Sequence, residues 1–277
     1  MKRNAPLRVH KKPAPGSERT SFVSKPKPIP TSWGKNAQWY DKMVKSDDSY
    51  QTHVILPGLK KILDTKPGQV LLDAGCGTGL FSHAFAALGL RVTGVDIGVE
   101  SIAIAQKEAQ KTENFVVASV ESMPQIRSST FDHVICVLSL QNIENGKQAL
   151  QEMVRILAPK GTLTLVINHP TFRIPQATSW EWTADARTHF RRVDRYLSEH
   201  KVTIQMQPGR DTRDITYSFH RPLSWYLNQA ANMGMTLTKS QEWISHRKTD
   251  QGPQKTPELE RTRHEIPLFM CLQWRKN

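Results

Sequence analysis

The chain has 277 residues, of which 38% are hydrophobic and seven are Trp, so it can bury a full core as one elaborated domain or two small domains. No apolar run approaches the roughly 18 residues that span a bilayer, and the N-terminus lacks the apolar core of a secretion signal. The three cysteines form no C-x-x-C pattern, which argues against a zinc site or a disulfide framework and favours a reducing cytoplasm.

The net charge of +13 is concentrated at the N-terminus, where residues 1–36 hold nine Lys or Arg and one acidic residue. Residues 1–31 also contain six prolines. Such a stretch buries too little apolar surface to offset its ordering entropy, so we expect a disordered tail. Its role stays open between a weak RNA or ribosome contact through residues 1–36, a transit peptide, and a solvated tail.

Two helical stretches are predicted next, over Trp33–Lys45 and Ser49–Leu63, with a kink or restart at Pro57. The motif VLLDAGCGTGLFS follows at Val70–Ser82. Its opening apolar run predicts a strand buried on both faces.

Three glycines, Gly75, Gly77 and Gly79, follow that strand at a predicted turn into a helix. Glycines allow positive φ and let a ligand approach the backbone, while the helix points free N–H groups at it. Leu80 stands where a dinucleotide fingerprint has its third glycine, and the G-K-[ST] of a P-loop is absent. The turn therefore predicts a cradle for some other small ligand, with a purely structural turn as the alternative.

An acidic residue, Asp96, closes the next predicted strand, Arg91–Val95. A carboxylate one helix and one strand beyond a glycine turn can accept hydrogen bonds from both hydroxyls of a ribose. The alternative is that Asp96 caps the helix predicted over Ser101–Lys111.

Strands and helices alternate through the middle of the chain. Strands are predicted at 69–73, 91–96, 115–118, 132–137 and 162–167, and helices at 79–88, 99–111 and 146–157. Helices between strands require parallel pairing, so the fold class is α/β with a doubly wound, mostly parallel sheet. Beyond it the pattern predicts a hairpin from Val202–Met206 and Ile215–Phe219, a helix at 222–233, a strand at 236–243, a polar loop at Ser245–Arg263 and a final strand at Ile266–Trp274.

These motifs resemble the Rossmann-like, class I S-adenosylmethionine-dependent methyltransferases, and among them the group that includes the quinone-biosynthesis methyltransferases. LLDAGCGTG is similar to their first motif and VTGVDIGVESIAIAQKEA to the second, while FDHVICVLSLQNIEN and ALQEMVRILAPKGTLTLVI are similar to the fourth and fifth. The resemblance is strong over Val54–Asn168 and looser in the C-terminal third.

The resemblance implies a seven-stranded sheet whose last strand runs antiparallel between two parallel ones. It divides the chain into a tail (1–31), a cofactor-binding core with N-terminal cap helices (32–167), a substrate lid (168–221) and the C-terminal part of the core (222–277). It also implies S-adenosylmethionine as cofactor, S-adenosylhomocysteine as product, and no metal.

Cofactor contacts are expected from Asp73, Gly75, Cys76, Gly77, Gly79, Asp96, Ile97, Ser119, Val120 and Leu138. Ser119 stands where the family usually has an Asp, and its hydroxyl is a weaker acceptor for the adenine amine. Tyr40 and Tyr50, in the cap, either line the pocket or pack on the sheet edge.

Three residues are candidates for acceptor chemistry. His169 follows the end of a strand and is the first choice for a general base or a substrate contact, and His220 is the second. Each has the alternative of a loop or core histidine bonded to the backbone. Arg173 lies close to His169, and because Arg forks recognise carboxylate or phosphate it suggests an anionic or planar acceptor. Most other arginines of the lid are expected to pair with acidic residues at the surface.

Three functions remain open. The first is methyl transfer to O, N or C of a small molecule held under the lid. The second is an RNA- or ribosome-associated methyltransferase recruited by the basic arm, although the N-P-P-[YF] signature is absent. The third is a protein that binds S-adenosylmethionine without turnover. The acceptor, the methylated atom and the oligomeric state are left open.

Overall fold

The computed structural model describes residues 32–206, 215–249, 252 and 255–277. The expected tail at 1–31 therefore lies outside the described residues. The helices are α1 (Ser32–Lys35), α2 (Ala37–Val44), α3 (Leu56–Ile62), α4 (Leu80–Ala86), α5 (Val99–Glu108), α6 (Gly146–Ile156), α7 (Leu223–Asn232) and α8 (Thr256–Glu265). The strands are β1 (Val70–Ala74), β2 (Arg91–Asp96), β3 (Glu113–Val117), β4 (Phe131–Val137), β5 (Leu157–Asn168), β6 (Thr178–Trp182), β7 (His189–Val193), β8 (His200–Gln205), β9 (Ile215–His220), β10 (Met235–Trp243) and β11 (Phe269–Lys276).

Seven strands form the main sheet in the order β10-β11-β5-β4-β1-β2-β3. Neighbouring strands from β5 to β3 run parallel, whereas β11 is antiparallel to both β5 and β10. The prediction of a mostly parallel sheet with its last strand inserted in the opposite direction is confirmed.

Both faces of this sheet are buried. Leu72 and Leu165 belong to a cluster that includes residues of α6 and α7, whereas Leu71 and Val166 belong to a second cluster with residues of α3 and α4. Since successive side chains of a strand point to opposite faces, a strand covered on both sides must be apolar throughout. This explains the continuous apolar runs in the sequence.

The segment predicted to be a polar loop, Ser245–Arg263, contains most of α8, so that prediction is wrong. The helix begins at Thr256 with Pro257 in its first turn, a favourable position for proline. Leu259 and Thr262 are its buried residues, and Thr262 Oγ1 lies 2.9 Å from Nδ1 of His189 in β7. Two buried residues on an otherwise charged helix give too weak a periodic signal for a prediction.

The insertion after β5 holds two hairpins rather than the single one predicted. The predicted hairpin is present as β8 and β9, while β6 pairs with β7 in a second, unpredicted ribbon. β9 contacts both α1 and the short 3₁₀ turn Leu140–Asn142 that follows β4. The insertion therefore meets the N-terminal helices above the carboxyl ends of the parallel strands.

Ahead of α3, the chain forms a π-helical turn, Gln51–Ile55. Pro57 lies in the first turn of α3, as the expected restart requires. No helix in the described part of the chain combines the length and the apolar composition needed to cross a bilayer.

Candidate active site

The glycine-rich turn leaves bare backbone at the carboxyl end of β1. Gly75, Gly77 and Gly79 have φ values of 74°, 54° and 89°, a region that costs about 1–2 kcal/mol for a residue with a Cβ. A Cβ on Gly75 would lie 1.9 Å from Ser139 Oγ, whereas the nearest atom to a Cβ on Gly77 would be in the Tyr40 ring at 3.9 Å. The turn therefore approaches the chain after β4 closely and leaves space below the Tyr40 ring.

Asp96 lies beside this turn. Its Oδ2 accepts the N–H of Gly77 at 2.9 Å, and its Oδ1 accepts the N–H of Gly98 at 2.8 Å. Each carboxylate oxygen has a second lone pair, so both oxygens can accept a further hydroxyl. The N-cap of α5 is Gly98, with no side-chain cap bond, so Asp96 joins β2 to the glycine turn rather than capping the helix.

Burial raises the pKa of Asp96, and the backbone N–H donors of Gly98 and Gly77 lower it. The same fixed donors stabilise the ionised form. The carboxylate is therefore held in one orientation before any ligand arrives.

Three adjoining cavities lie at this edge of the sheet, and all three are bordered by Trp33 and Asn142. The glycine-turn cavity, of about 880 Å³ including its open mouth, lies between the turn, α1 and α2. The Ser119 cavity, of about 890 Å³, lies on the other side of Asp96 and reaches β9. The Arg173 cavity, of about 720 Å³, lies between the cap and the insertion.

Eight of the ten predicted cofactor residues line these cavities. The glycine-turn cavity is bordered by Gly75, Cys76, Gly77, Asp96, Ile97 and Leu138, and the Ser119 cavity by Gly75, Asp96, Ile97, Ser119 and Val120. Asp73 and Gly79 border neither cavity. Asp73 is buried under the turn, where it accepts the Ser82 hydroxyl at 2.7 Å, and Gly79 is the N-cap of α4.

Leu138 is held in an unusual backbone conformation, with φ 53°. A non-glycine residue in this region signals local strain, which concentrates at functional sites. Its N–H donates to the Val166 carbonyl at 2.7 Å, which ties the residue to β5. Leu138 borders both the glycine-turn and Arg173 cavities, so this conformation places its side chain in the wall between them.

Trp33 and Gln51 are lining residues that were missed from the sequence, whereas Tyr40 and Tyr50 were candidates to line the pocket. Trp33 packs edge-on against Tyr40 with ring centroids 5.5 Å apart, and together with Gln51 these residues border both the glycine-turn and Arg173 cavities. Tyr50 borders the Arg173 cavity only. Aromatic residues in the cap helices were the one available signal, and it does not distinguish lining from packing.

His169 borders none of the three cavities. The backbone N–H groups of Thr171 and Phe172 donate to its Nδ1 at 3.2 Å, so Nε2 carries the proton and donates to Glu242 at 2.8 Å. Both ring nitrogens are therefore hydrogen-bonded. This matches the alternative given above, a histidine bonded to the backbone. The geometry does not favour a general base at this position.

His220 is better placed. Its Nε2 lies 2.6 Å from the Tyr196 carbonyl oxygen, which can only accept, so Nε2 is the donor and Nδ1 is left as an acceptor. Burial lowers its pKa, which favours the neutral ring. His220 borders a smaller cavity of about 290 Å³ that shares Asn168 and Arg173 with the Arg173 cavity.

The arginines of the insertion divide into two groups. Arg192 pairs with Asp194 at 2.6 Å and with Glu181 at 3.2 Å, as expected for surface arginines. Arg221, in contrast, is buried and donates to the carbonyls of Ile143 and Glu144, each at 2.8 Å. It thereby ties the end of the insertion to the loop after β4 that borders the cavities.

Asp73 gives the folded chain a defined pH dependence. Burial raises the pKa of its carboxyl from 3.8 to about 7, against the lowering effect of the Ser82 hydroxyl. Between about pH 4 and 7 the folded state therefore binds the extra proton, so stability falls as pH rises through that window. Between about pH 5 and 8, we expect the free energy of unfolding of the wild-type protein to fall by about 2–3 kcal/mol because of this group.

The matched variant is Asp73→Asn, which removes the titration and keeps an acceptor for Ser82. Denaturant unfolding at both pH values is expected to show a smaller change in the free energy of unfolding for the variant. Identical pH dependence of the two proteins would contradict the assignment.

In the described part of the chain, no group of three His, Cys, Asp or Glu residues could hold a metal ion. The residues around the glycine turn do fit an adenosyl ligand, since Asp96 has acceptor capacity to spare and the Gly77 backbone is uncovered.

Comparison with known proteins agrees with this geometry. Residues 72–165 match the family described as a methyltransferase domain. Over 102 residues the chain is 33% identical to a ubiquinone biosynthesis O-methyltransferase of Xanthomonas campestris, covering 36% of this chain and 43% of that protein. A demethylmenaquinone methyltransferase of Renibacterium salmoninarum is 32% identical over 107 residues, covering 38% of this chain and 44% of that protein. The chain thus spans less than half the length of either curated relative.

Among solved structures, an S-adenosylmethionine-dependent methyltransferase from Mesorhizobium loti superposes with a TM-score of 0.65 at 22% identity, over 79% of this chain and 96% of that one. At this identity the likeness shows the fold alone. It is the same seven-stranded arrangement described above.

Proposed function

Because the chain belongs to the class I, Rossmann-like S-adenosylmethionine-dependent methyltransferases, we propose that it transfers a methyl group from S-adenosylmethionine to a small molecule in the Arg173 cavity. The observation that carries this proposal is the position of Asp96 beside the glycine turn, in a cavity that shares a wall with a second one. Tyr40, Gln51, Leu138 and Asn142 border both cavities. One cavity is thus available for the donor and the other for the acceptor.

The residues divide the work of holding the cofactor. Asp96 would accept the ribose hydroxyls, the Gly75–Gly77 backbone would support the remainder, and Ser119 and Val120 would border the adenine. When bound, S-adenosylmethionine supplies a methyl group already activated on a sulfonium.

The protein's own contribution is alignment in a water-excluding site, which can supply about 7–11 kcal/mol of barrier lowering. Leu138 and Tyr40 form the wall at which donor and acceptor meet, and Trp33 and β9 close the site from above. Where the acceptor bears a proton, His220 is the proposed base, since its Nδ1 is left as an acceptor and the residue borders the smaller cavity next to the Arg173 cavity.

The experiment is incubation of the protein with methyl-labelled S-adenosylmethionine and a cell extract, followed by separation of small molecules, RNA and protein. Label is expected in the small-molecule fraction. With the Asp96→Asn variant, the label in that fraction is expected to stay at the background level. Label in RNA would instead support recruitment through residues 1–36, which lie mostly outside the described residues. Tight binding of S-adenosylhomocysteine with no label in any fraction would support a binding protein without turnover. A cytoplasmic location stays a prediction.

A further inference from the structure

The guanidinium of Arg173 lacks a counter-ion in the described part of the chain. Its Nη1 is buried and has no hydrogen-bond acceptor among those residues. The charged side chains that act on it are the arginines Arg191 and Arg247, and both repel it. An uncompensated cation at the wall of a cavity is unfavourable unless something else supplies the negative charge.

Aromatic contacts hold this guanidinium in place without satisfying it. Its Cζ lies 5.0 Å from the ring centroid of Phe269 and 5.9 Å from that of Tyr50. A cation–π contact uses the face of the guanidinium, whereas its N–H groups point outward in the plane and need acceptors. The rings therefore hold Arg173 at the cavity wall without providing acceptors for its N–H groups.

The rest of the Arg173 cavity also offers hydrogen-bond donors and no negative charge among the described residues. None of the described residues that border it is acidic. Ser218 and Thr216, both on β9, add hydroxyl donors, while Pro175, Ile204 and Leu138 add apolar wall. Gln141 Oε1 already accepts the Asn168 N–H at 3.0 Å, which leaves the Gln141 amide N–H₂ as a donor. The lining thus combines one cation, several neutral donors and flat apolar surfaces.

We propose that the methyl acceptor is a planar carboxylate, whose carboxylate binds Arg173 and whose ring packs against the apolar wall of Pro175, Ile204 and Leu138. An Arg fork matches a carboxylate in two parallel hydrogen bonds, which fixes orientation as well as position. An acceptor anchored in this way presents its remaining groups to the wall shared with the glycine-turn cavity. That the bound carboxylate is the methyl acceptor rests on the proposed function. The binding of the carboxylate itself can be measured without turnover.

The test uses three matched pairs of probes: benzoate and benzamide, 2-naphthoate and 2-naphthamide, and indole-3-carboxylate and its carboxamide. Each is titrated calorimetrically into the full chain, with and without S-adenosylhomocysteine. The variants are Arg173→Met, which removes the charge, and Arg173→Lys, which keeps it without the fork. Arg192→Met is the matched control, because Arg192 belongs to the same insertion but pairs with Asp194 and Glu181.

At least one carboxylate is expected to bind wild type about 10- to 100-fold more tightly than its carboxamide, the range for a hydrogen-bonded charge. Arg173→Met is expected to lose that preference, Arg173→Lys to keep part of it, and Arg192→Met to keep all of it. Equal binding of acid and amide by wild type, no binding of any acid, or an unchanged preference in Arg173→Met would overturn the inference.

Affinity for S-adenosylhomocysteine separates this result from the proposed function. It is expected to be the same in wild type and Arg173→Met, which also shows that the variant is folded. A wild-type protein that prefers carboxylates yet does not bind S-adenosylhomocysteine would contradict the proposed function and leave the carboxylate site standing. Binding of S-adenosylhomocysteine without a preference for carboxylates would contradict the carboxylate site and leave the proposed function standing.

Discussion

Asp96→Asn is expected to weaken binding of S-adenosylhomocysteine by about 10–10³-fold, since a hydrogen bond to a charged group contributes about 1.5–3 kcal/mol, one ribose hydroxyl loses its acceptor and the other is left with a neutral amide oxygen. The substitution also places an amide where the Gly77 and Gly98 N–H groups donate to the carboxylate oxygens at 2.9 and 2.8 Å. One of these N–H groups then faces an N–H₂ group, which disturbs the glycine turn itself. Isothermal titration with S-adenosylhomocysteine measures the effect.

The matched control is Asp132→Asn, near the amino end of the central strand β4 and away from the cavities. Asp132 Oδ2 accepts the N–H of Val70 at 2.9 Å, so it too is a carboxylate bonded to the backbone of a central strand. Its loss is expected to reduce the free energy of unfolding while leaving cofactor affinity within about twofold, because it borders none of the cavities. Equal loss of affinity in both variants would mean that Asp96 acts through stability alone.

Gly75→Ala is expected to reduce cofactor affinity by about 100-fold or more and to lower stability. The backbone contribution is about 1–2 kcal/mol for a Cβ at positive φ. The larger contribution is steric, because the new Cβ would lie 1.9 Å from Ser139 Oγ and 2.6 Å from Ser139 Cβ. The turn and the chain after β4 must separate to relieve this overlap, and both border the glycine-turn cavity.

Gly234→Ala separates the two contributions. Gly234 has the same φ of 74°, and a Cβ there would meet nothing within 4 Å, so this variant reports the backbone cost alone. The double variant Gly75→Ala, Ser139→Gly removes the overlap and is expected to recover much of the lost affinity. If Gly75→Ala behaves like Gly234→Ala in both stability and cofactor affinity, close packing of the turn has no functional role.

The sequence predicts the glycine turn and Asp96 well because both follow from local requirements. Positive φ at three alternating positions selects glycine, and one helix plus one strand returns the chain to the same edge of the sheet. The doubly wound sheet is predictable for a similar reason, since alternating strands and helices allow few arrangements.

The walls above the turn are not predictable in this way, because they are contacts between distant segments. Trp33 and Tyr40 meet β9 and the loop after β4 only once the chain has folded. His169 meets Glu242, 73 residues away, and that bond together with the donors from Thr171 and Phe172 occupies its ring.

The environment of Arg173 could not be predicted from the sequence either. The sequence separates it from the surface arginines only by its closeness to His169. Its distinguishing feature is a buried Nη1 without an acceptor among the described residues, beside Phe269 from the last strand. Only the fold brings these residues together.

The most direct measurement is a crystal structure of the full chain grown with S-adenosylhomocysteine. The account predicts that the nucleoside lies between the glycine turn and Trp33, with both ribose hydroxyls within hydrogen-bond distance of the Asp96 carboxylate and the adenine beside Ser119. A structure in which the ligand binds elsewhere, or in which Asp96 faces only the backbone of Gly77 and Gly98 while the ribose lies apart from it, would contradict it.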